Sequence, residues 1–263
     1  MSLSVSELWS AMTTEAREYG RNEPVLASFY HASILNHTSF AGALSFHIAA
    51  KLDCDSVPAM LIRDVFNEAF ASDDSIVNAA ARDICAHFER DPACDHYGMP
   101  FLYFKGFQAI QAYRIAHWLW LQGRESLALF LQNRIASVFD VDIHPAAVIG
   151  SGVMVDHATG LVIGETAVVG NNVSMLHSVT LGGCGSGQGP RHPRICDGVL
   201  ISAGAKVLGP IVVGDGAKIA AGSVVVSDVA AHSTVAGVPA KQVDALSAEL
   251  PALNMDQNIS DES

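Results

Sequence analysis

The sequence predicts an α+β chain: an all-α N-terminal domain followed by a left-handed parallel β-helix as C-terminal domain. Three observations predict it. All 19 aromatic residues lie between positions 1 and 140. Only five of the 22 glycines (Gly20, Gly42, Gly98, Gly106, Gly123) fall in that half, and beyond it aliphatic residues recur every six positions. The chain changes its packing method near Val141, which divides it into a helical domain (1–140), a β-helix (141–245) and a flexible tail (246–263).

In the first half, apolar residues recur at three and four, as in Phe104, Phe107, Ile110 and Tyr113 or Leu127, Phe130, Leu131 and Ile135, on a background of good helix formers. Breaks at Asn22-Glu23-Pro24, Ser72-Asp73-Asp74, Asp91-Pro92 and Gly98-Met99-Pro100 divide it into six to eight helices. The apolar stretch from Phe101 to Gln122 is interrupted by Lys105, Gln108, Gln111, Arg114 and His117. A membrane span would bury these at high cost, so a core helix is expected, one whose apolar face serves either its own core or a contact between copies.

In the second half, Ile195, Ile201, Val207, Val213, Ile219 and Val225 are six apart, and Val199, Ala205, Ile211, Ala217, Ser223 and Val229 follow each by four. Upstream, Ile143, Ile149 and Val155 and then Ile163, Val169, Met175 and Leu181 keep the spacing. Six residues make one side of a triangular prism and eighteen make one coil. Stacked coils enclose a lumen sized for Ile and Val beside Ala and Ser, which excludes aromatic rings. Gly150, Gly164, Gly170, Gly214 and Gly222 are expected at corners with positive φ. A β-sandwich would show period-two alternation and aromatics instead. The stretch Gly182 to Pro193 breaks the repeat and should leave the wall as a loop; it lacks the Gly-Lys-Ser/Thr ending of a phosphate-binding loop.

A formal charge of −12 gives no footprint for a phosphate backbone, so nucleic acid is not an expected partner. Charged residues interrupt the first thirty positions, so no secretory signal is read, no membrane association is expected, and the cytoplasm is the expected location. Five cysteines without a C-x-x-C pair read as reduced thiols.

Solenoids of this kind are used largely for acyl transfer from coenzyme A, an analogy of fold that leaves the site to be argued. The candidates are Asp142, His144, Asp156, His157, His177, Arg191 and His192, all near breaks in the register. Acyl transfer to an alcohol needs a base for the hydroxyl proton, and a carboxylate on the far ring nitrogen fixes the tautomer. His157 with Asp142 supplies that pair, although fifteen residues is three short of a coil and an Asp-His dipeptide also suits a surface turn. A zinc set of His144, His157 and His177 is the rival; spacings of thirteen and twenty do not place them at equivalent positions of eighteen-residue coils, so no metal is expected.

Asp156-His157-Ala158-Thr159-Gly160, Ile163-Gly164-Glu165-Thr166 and Val179-Thr180-Leu181-Gly182-Gly183 resemble the serine O-acetyltransferases of cysteine biosynthesis, members of the hexapeptide-repeat acyltransferase superfamily. Helical segments match too: Ala27-Ser28-Phe29-Tyr30-His31-Ala32, Arg90-Asp91-Pro92-Ala93, Lys105-Gly106-Phe107-Gln108-Ala109 and Gln111-Ala112-Tyr113-Arg114-Ile115. The resemblance covers roughly residues 5 to 245. It implies transfer of acetyl from acetyl-CoA, a co-substrate and not a resident cofactor, to the hydroxyl of L-serine, giving O-acetyl-L-serine and CoA. It implies His157 as general base, Asp142 as its orienting carboxylate, Asp91 and Asp156 on the serine ammonium, and Arg191 and His192 on its carboxylate. Competitive inhibition by L-cysteine and a hexamer of two trimers, with the site between neighbouring prisms, are implied as well.

For acetyl-CoA the resemblance maps to Gly183, Ala203, Gly204 and Ala221, with Lys218 and Lys241 as phosphate partners or, alternatively, solvated surface charges. His144 and His177 fall in the repeat frame and read as structural. Cys184 stands where relatives carry threonine and reads as a tolerated small residue. Relatives often end in an isoleucine that enters the next enzyme, O-acetylserine sulfhydrylase; Asn258 to Ser263 lacks it at the end, so that complex is expected to be weak or absent. The competing functions are acetyl transfer to a sugar or other alcohol, and a non-catalytic scaffold.

Overall fold

The computed structural model describes residues 3–185, 187, 189–245 and 250–258. Helix α1 (Val5–Asn22) opens on a capping box in which Ser4 accepts from Glu7 N and Glu7 accepts from Ser4 N. After α2 (Ala27–Tyr30), α3 (Phe40–Leu52) and α4 (Ala59–Ser72), Asp73 caps α5 (Asp74–Arg90) by accepting from Ser75 N. Then come α6 (Gly98–Tyr103), α7 (Lys105–Leu121) and α8 (Glu125–Phe139). Two expectations are corrected here. Gly98-Met99-Pro100 begins α6 instead of breaking a helix, since proline is tolerated in a first turn. The stretch Phe101 to Gln122 is two helices, because Phe104 is extended (φ −88°, ψ 106°) and α7 restarts at Lys105. Helix α7 is buried over most of its length and packs into the molecule's own core, while Leu121 at its C-terminal end stays exposed.

From Val141 the chain winds into a three-walled parallel β-helix. The first wall holds Val141–Ile143, Leu161–Ile163, Thr180–Gly182, Lys206–Leu208 and Val224–Val225; the second holds Val148–Ile149, Val168–Val169, Arg194–Ile195 and Val212–Val213. The third runs Met154–Val155, Ser174–Met175, Leu200–Ile201, Lys218–Ile219 and Ser233–Gly237, and closes with the antiparallel strand Ala240–Ala245. The register stacks Ile143 on Ile163, Ile163 on Leu181, Leu181 on Val207 and Val207 on Val225, so that aliphatic residues of the six-residue repeat meet once per coil.

Coil length is not uniform. Val141 pairs with Leu161 and Met154 with Ser174, twenty residues apart, because the bend from the third wall into the first carries two extra residues in the lower coils. Thr180 pairs with Lys206 twenty-six residues on, since that coil contains the inserted loop. Of the five glycines expected at positive φ only Gly222 has it, at 67°. Gly150, Gly170 and Gly214 are required by close approach of the main chain, a Cβ at Gly150 lying 2.6 Å from Gly170 O, whereas at Gly164 the close neighbour is the His192 ring.

The outward side chains of the third wall, Met154, Ser174, Leu200 and Lys218, are at most 3% exposed because helices and tail cover them. The Asp83 carboxylate clamps the two halves. It pairs with Arg114 Nη2 at 2.6 Å and accepts from Gln111 Nε2 and from Val153 N, both at 2.9 Å, while Arg114 also donates to Gly150 O. Contrary to the flexible tail expected, residues 250–258 dock on this wall through α9 (Pro251–Asn254). Ser174 Oγ donates to Ala252 O at 2.9 Å, and Leu250 lies against Gly198. Residues 246–249 and 259–263 lie outside the described residues, and with them the end on which the sulfhydrylase expectation rests. No helix among the described residues is long and apolar enough to cross a membrane.

Candidate active site

A cavity of about 330 Å³ lies where α5, α6 and α7 meet the bend between the third and first walls. Asp91 ends α5 because Pro92 cannot continue it; its carboxylate accepts from Ala93 N at 2.9 Å, which fixes the turn. The start of α7 brings Gly106 against the main chain of Val155, the residue before Asp156. His157 and Ala158 follow with φ of 57° and 60°, two successive non-glycine residues in the left-handed region, and Ala158 N closes back on Asp156 O. Such strain persists where surrounding structure imposes it, and here it turns the imidazole outward beside the cavity.

Asp91, Asp156 and His157 thus line one space. His157 Nε2 is 3.5 Å from Asp156 Oδ2. Burial raises the Asp156 carboxyl above the ordinary aspartate value, opposed by the His157 imidazole and reinforced by the Asp91 charge. Two crowded carboxylates, one of them partly desolvated, suit an ammonium ligand. Asp142 does not meet His157 within the chain: it lies exposed on the first wall, and its Oδ1 accepts from Gln132 Nε2 at 2.7 Å.

Arg191 and His192 occupy the opposite edge of the first wall, where it bends into the second. His192 Nδ1 accepts from Thr166 N at 3.2 Å, which leaves the proton of the neutral ring on Nε2. Burial, followed by the nearby Arg191 charge, lowers its pKa and favours that neutral form. Thr166 Oγ1 accepts from Arg191 N at 3.0 Å and from His192 N at 3.2 Å, and Arg191 is ion-paired with Glu165. Sequence reasoning assigned no role to Glu165 or Thr166. The signal was the insertion itself, which makes that coil twenty-six residues and sets 165 and 166 beside 191 and 192.

The candidate residues therefore fall into two groups, one on each edge of the same wall, which the single chain does not bring together. The spacing expected to separate His177 from His157 does not do so, because the longer coil makes twenty residues one full turn there: the two rings are 5.9 Å apart, edge-on. Above it on the same bend lie Ala203, Gly204 and Ala221, with Gly204 N donating to His177 O at 2.9 Å. Gly183 borders the His192 ring, and Cys184 N closes the loop base on Arg191 O.

Lys218 is not at this bend. It is 3% exposed on the third wall, donates to Asn258 O at 2.5 Å and lies 3.5 Å from Asp256, so the tail already occupies it. Lys241 is exposed on the closing strand. Lys206, which sequence reasoning passed over, bonds to Ser178 O beside the bend. His144 sits on the other edge, and no group of three or more His, Cys, Asp or Glu suited to a metal occurs among the described residues. A larger cavity, about 540 Å³, lies between α5, α7 and the prism near Arg82 and Trp118, and it holds none of the candidate residues.

Residues 8–112 match the family model described as serine acetyltransferase, N-terminal, and residues 192–227 match the bacterial transferase hexapeptide model of six repeats. The chain is 55% identical over 251 residues to the serine acetyltransferase of Escherichia coli (strain K12), covering 95% of this chain and 92% of that protein. A solved serine acetyltransferase in complex with cysteine superposes with a TM-score of 0.96 at 52% identity, covering 97% of this chain and 99% of that one. Another, in complex with CoA, does so with a TM-score of 0.88 at 53% identity, covering 91% and 100%.

Proposed function

The chain belongs to the serine acetyltransferase family, an acyltransferase that uses acetyl-CoA as co-substrate, and from that premise we propose how its own residues carry the reaction. His157 takes the proton of the L-serine hydroxyl as Oγ attacks the thioester carbonyl carbon. The C–S bond breaks with its electron pair going to sulfur, which receives the proton, and O-acetyl-L-serine and CoA leave. No acyl-enzyme forms. Asp91 and Asp156 hold the serine ammonium. The observation that carries this reading is the convergence of these two carboxylates on the imidazole in one cavity.

Arg191 and His192 of a neighbouring copy receive the serine carboxylate and complete the site. Asp142, on the wall between the half-sites, orients a base imidazole when prisms pack side by side. That assembly is a trimer around the first wall, and two trimers joined through helical domains make the hexamer. Large aliphatic side chains left exposed on those domains, Met60, Leu61 and Leu121, support the second contact. Gly183, Ala203, Gly204 and Ala221 form the path of CoA, with Lys241 or Lys206 as its phosphate partner. L-Cysteine differs from serine by sulfur for oxygen and competes for the same groups. The five cysteines carry free thiols, which suits a reducing compartment, and we place the enzyme in the cytoplasm.

The test is thiol release from acetyl-CoA with L-serine, L-homoserine, a galactoside or no acceptor, for the native chain and His157→Ala. Release that requires serine and is lost in the variant supports the reading. Release with another acceptor but not serine would replace the substrate, and serine-dependent release that survives His157→Ala would remove the base.

A further inference from the structure

Three bends join the walls of the prism, and the residues assigned to the reaction use two of them. The bend between the second and third walls instead forms one side of the cavity of about 540 Å³, whose other side is made by α5 and α7. That volume suits a small molecule. The cavity is separate from the candidate active site: Arg82, on its lining, precedes Asp91 by nine residues along α5, about 13 Å. Ile76, Trp118 and Ile149 give the cavity apolar surface, and its polar groups gather at Ser151. Ser151 Oγ accepts from Arg82 Nη1 and donates to Asn171 Oδ1, both at 3.3 Å, and Ser151 N donates to the same Oδ1 at 3.0 Å. Two donors on one oxygen fix the Asn171 amide and leave its NH2 without an acceptor among the described residues. The charges do not balance there. Arg114 is matched by Asp83 at 2.6 Å, and Asp73, the one acid on the lining, is engaged as the cap of α5. Arg82 is exposed and has no carboxylate partner among the described residues, although the chain carries 27 acidic residues against 15 basic ones.

We propose that this cavity is a second ligand site, which takes a small carboxylic acid with an apolar body. Its carboxylate bonds to Arg82 and the Asn171 amide, and its body lies against Ile76 and Trp118. The groups left free at Ser151 are N–H donors, so the ligand group they take is an acceptor, and a carboxylate offers two oxygens that match a guanidinium fork. One unmatched positive charge balances one negative charge. In a chain of net charge −12 that favours a carboxylate over a phosphate dianion. An apolar body gains by leaving water for the indole and aliphatic walls, a gain that acetate lacks.

The experiment titrates the full chain calorimetrically with 1-naphthylacetate, 1-naphthylacetamide and acetate. We expect 1-naphthylacetate to bind with a Kd of about 1 mM or below, and the amide and acetate to bind at least about tenfold more weakly. Arg82→Ala removes the guanidinium from an exposed position, and Ala79→Trp places an indole on the cavity lining. Each variant, checked for folding by thermal melting, should weaken 1-naphthylacetate by about tenfold or more. Arg191→Ala lacks a cation of the candidate active site and should keep the native Kd. Binding that Arg82→Ala leaves within about twofold of the native value overturns the proposal, as does no binding to the native chain at about 10 mM. Equal binding of the amide overturns it by removing the need for a charge. Binding lost in Arg191→Ala also overturns it, by moving the acid to the groups assigned to serine.

Discussion

Gly106 packs against the main-chain carbonyl of Val155 so closely that a Cβ there would overlap the oxygen. The contact sets the start of α7 on the third wall, one residue before Asp156 and two before His157. A flexible neighbour could yield to a methyl group, but a carbonyl within a stacked coil cannot. Gly106→Ala is therefore expected to cost about 1–3 kcal/mol of stability, the usual cost of overpacking, and to lower kcat/KM for serine as the cavity distorts. Calorimetric melting and steady-state kinetics check this. A variant that melts and turns over like the native chain would show that the two halves are not held there.

Gly164 presents a different case, because what a Cβ would meet is the His192 ring. A side chain can move where a backbone cannot. Gly164→Ala should leave the melting temperature within a degree or two and displace the imidazole, raising the KM for serine several-fold, on the order of 1 kcal/mol of lost binding. An unchanged KM would separate His192 from serine binding.

Asp156 should trade stability for binding. Its pKa in the folded chain lies above the ordinary aspartate value of 3.8, chiefly through burial, so the folded state binds its proton more tightly than the unfolded one. Stability from this group is complete below the ordinary aspartate range and is lost as pH rises through the raised pKa. Asp156→Asn removes the charge while keeping the shape. It is expected to raise the melting temperature at pH 8, with the gap closing toward pH 4, while serine binding weakens. Melting curves across that range check it, and a variant less stable than the native chain at pH 8 would contradict it.

The β-helix was legible because a lumen of fixed width forces a period: Ile195 to Val225 could be placed by counting sixes, and the missing aromatics follow from the same width. Asp156 and His157 stood out at a break in the register and through the chemistry acyl transfer needs, Asp91 only through resemblance, and the structure shows the cavity the three share. Counting in eighteens hid what departs from eighteen. Two extra residues at the His157 bend put His177 beside it, and the loop put Glu165 and Thr166 beside Arg191 and His192. The break at Phe104 carries no local signal, since only the demand that α7 start against Val155 imposes it. Docking of residues 250–258 was equally hidden, because it depends on how the third wall is covered and not on local composition.

The central claim is that the half-site of Asp91, Asp156 and His157 in one copy works with Arg191 and His192 of the next. Its most direct test mixes two defects. His157→Ala and Arg191→Ala chains, each nearly inactive alone, are co-expressed with different tags, and oligomers carrying both tags are isolated. In a cyclic trimer of mixed chains, one of the three interfaces joins an intact His157 to an intact Arg191, so the hybrids should regain about a third of native turnover. Hybrids no more active than the two parents would contradict the claim and return the site to a single chain.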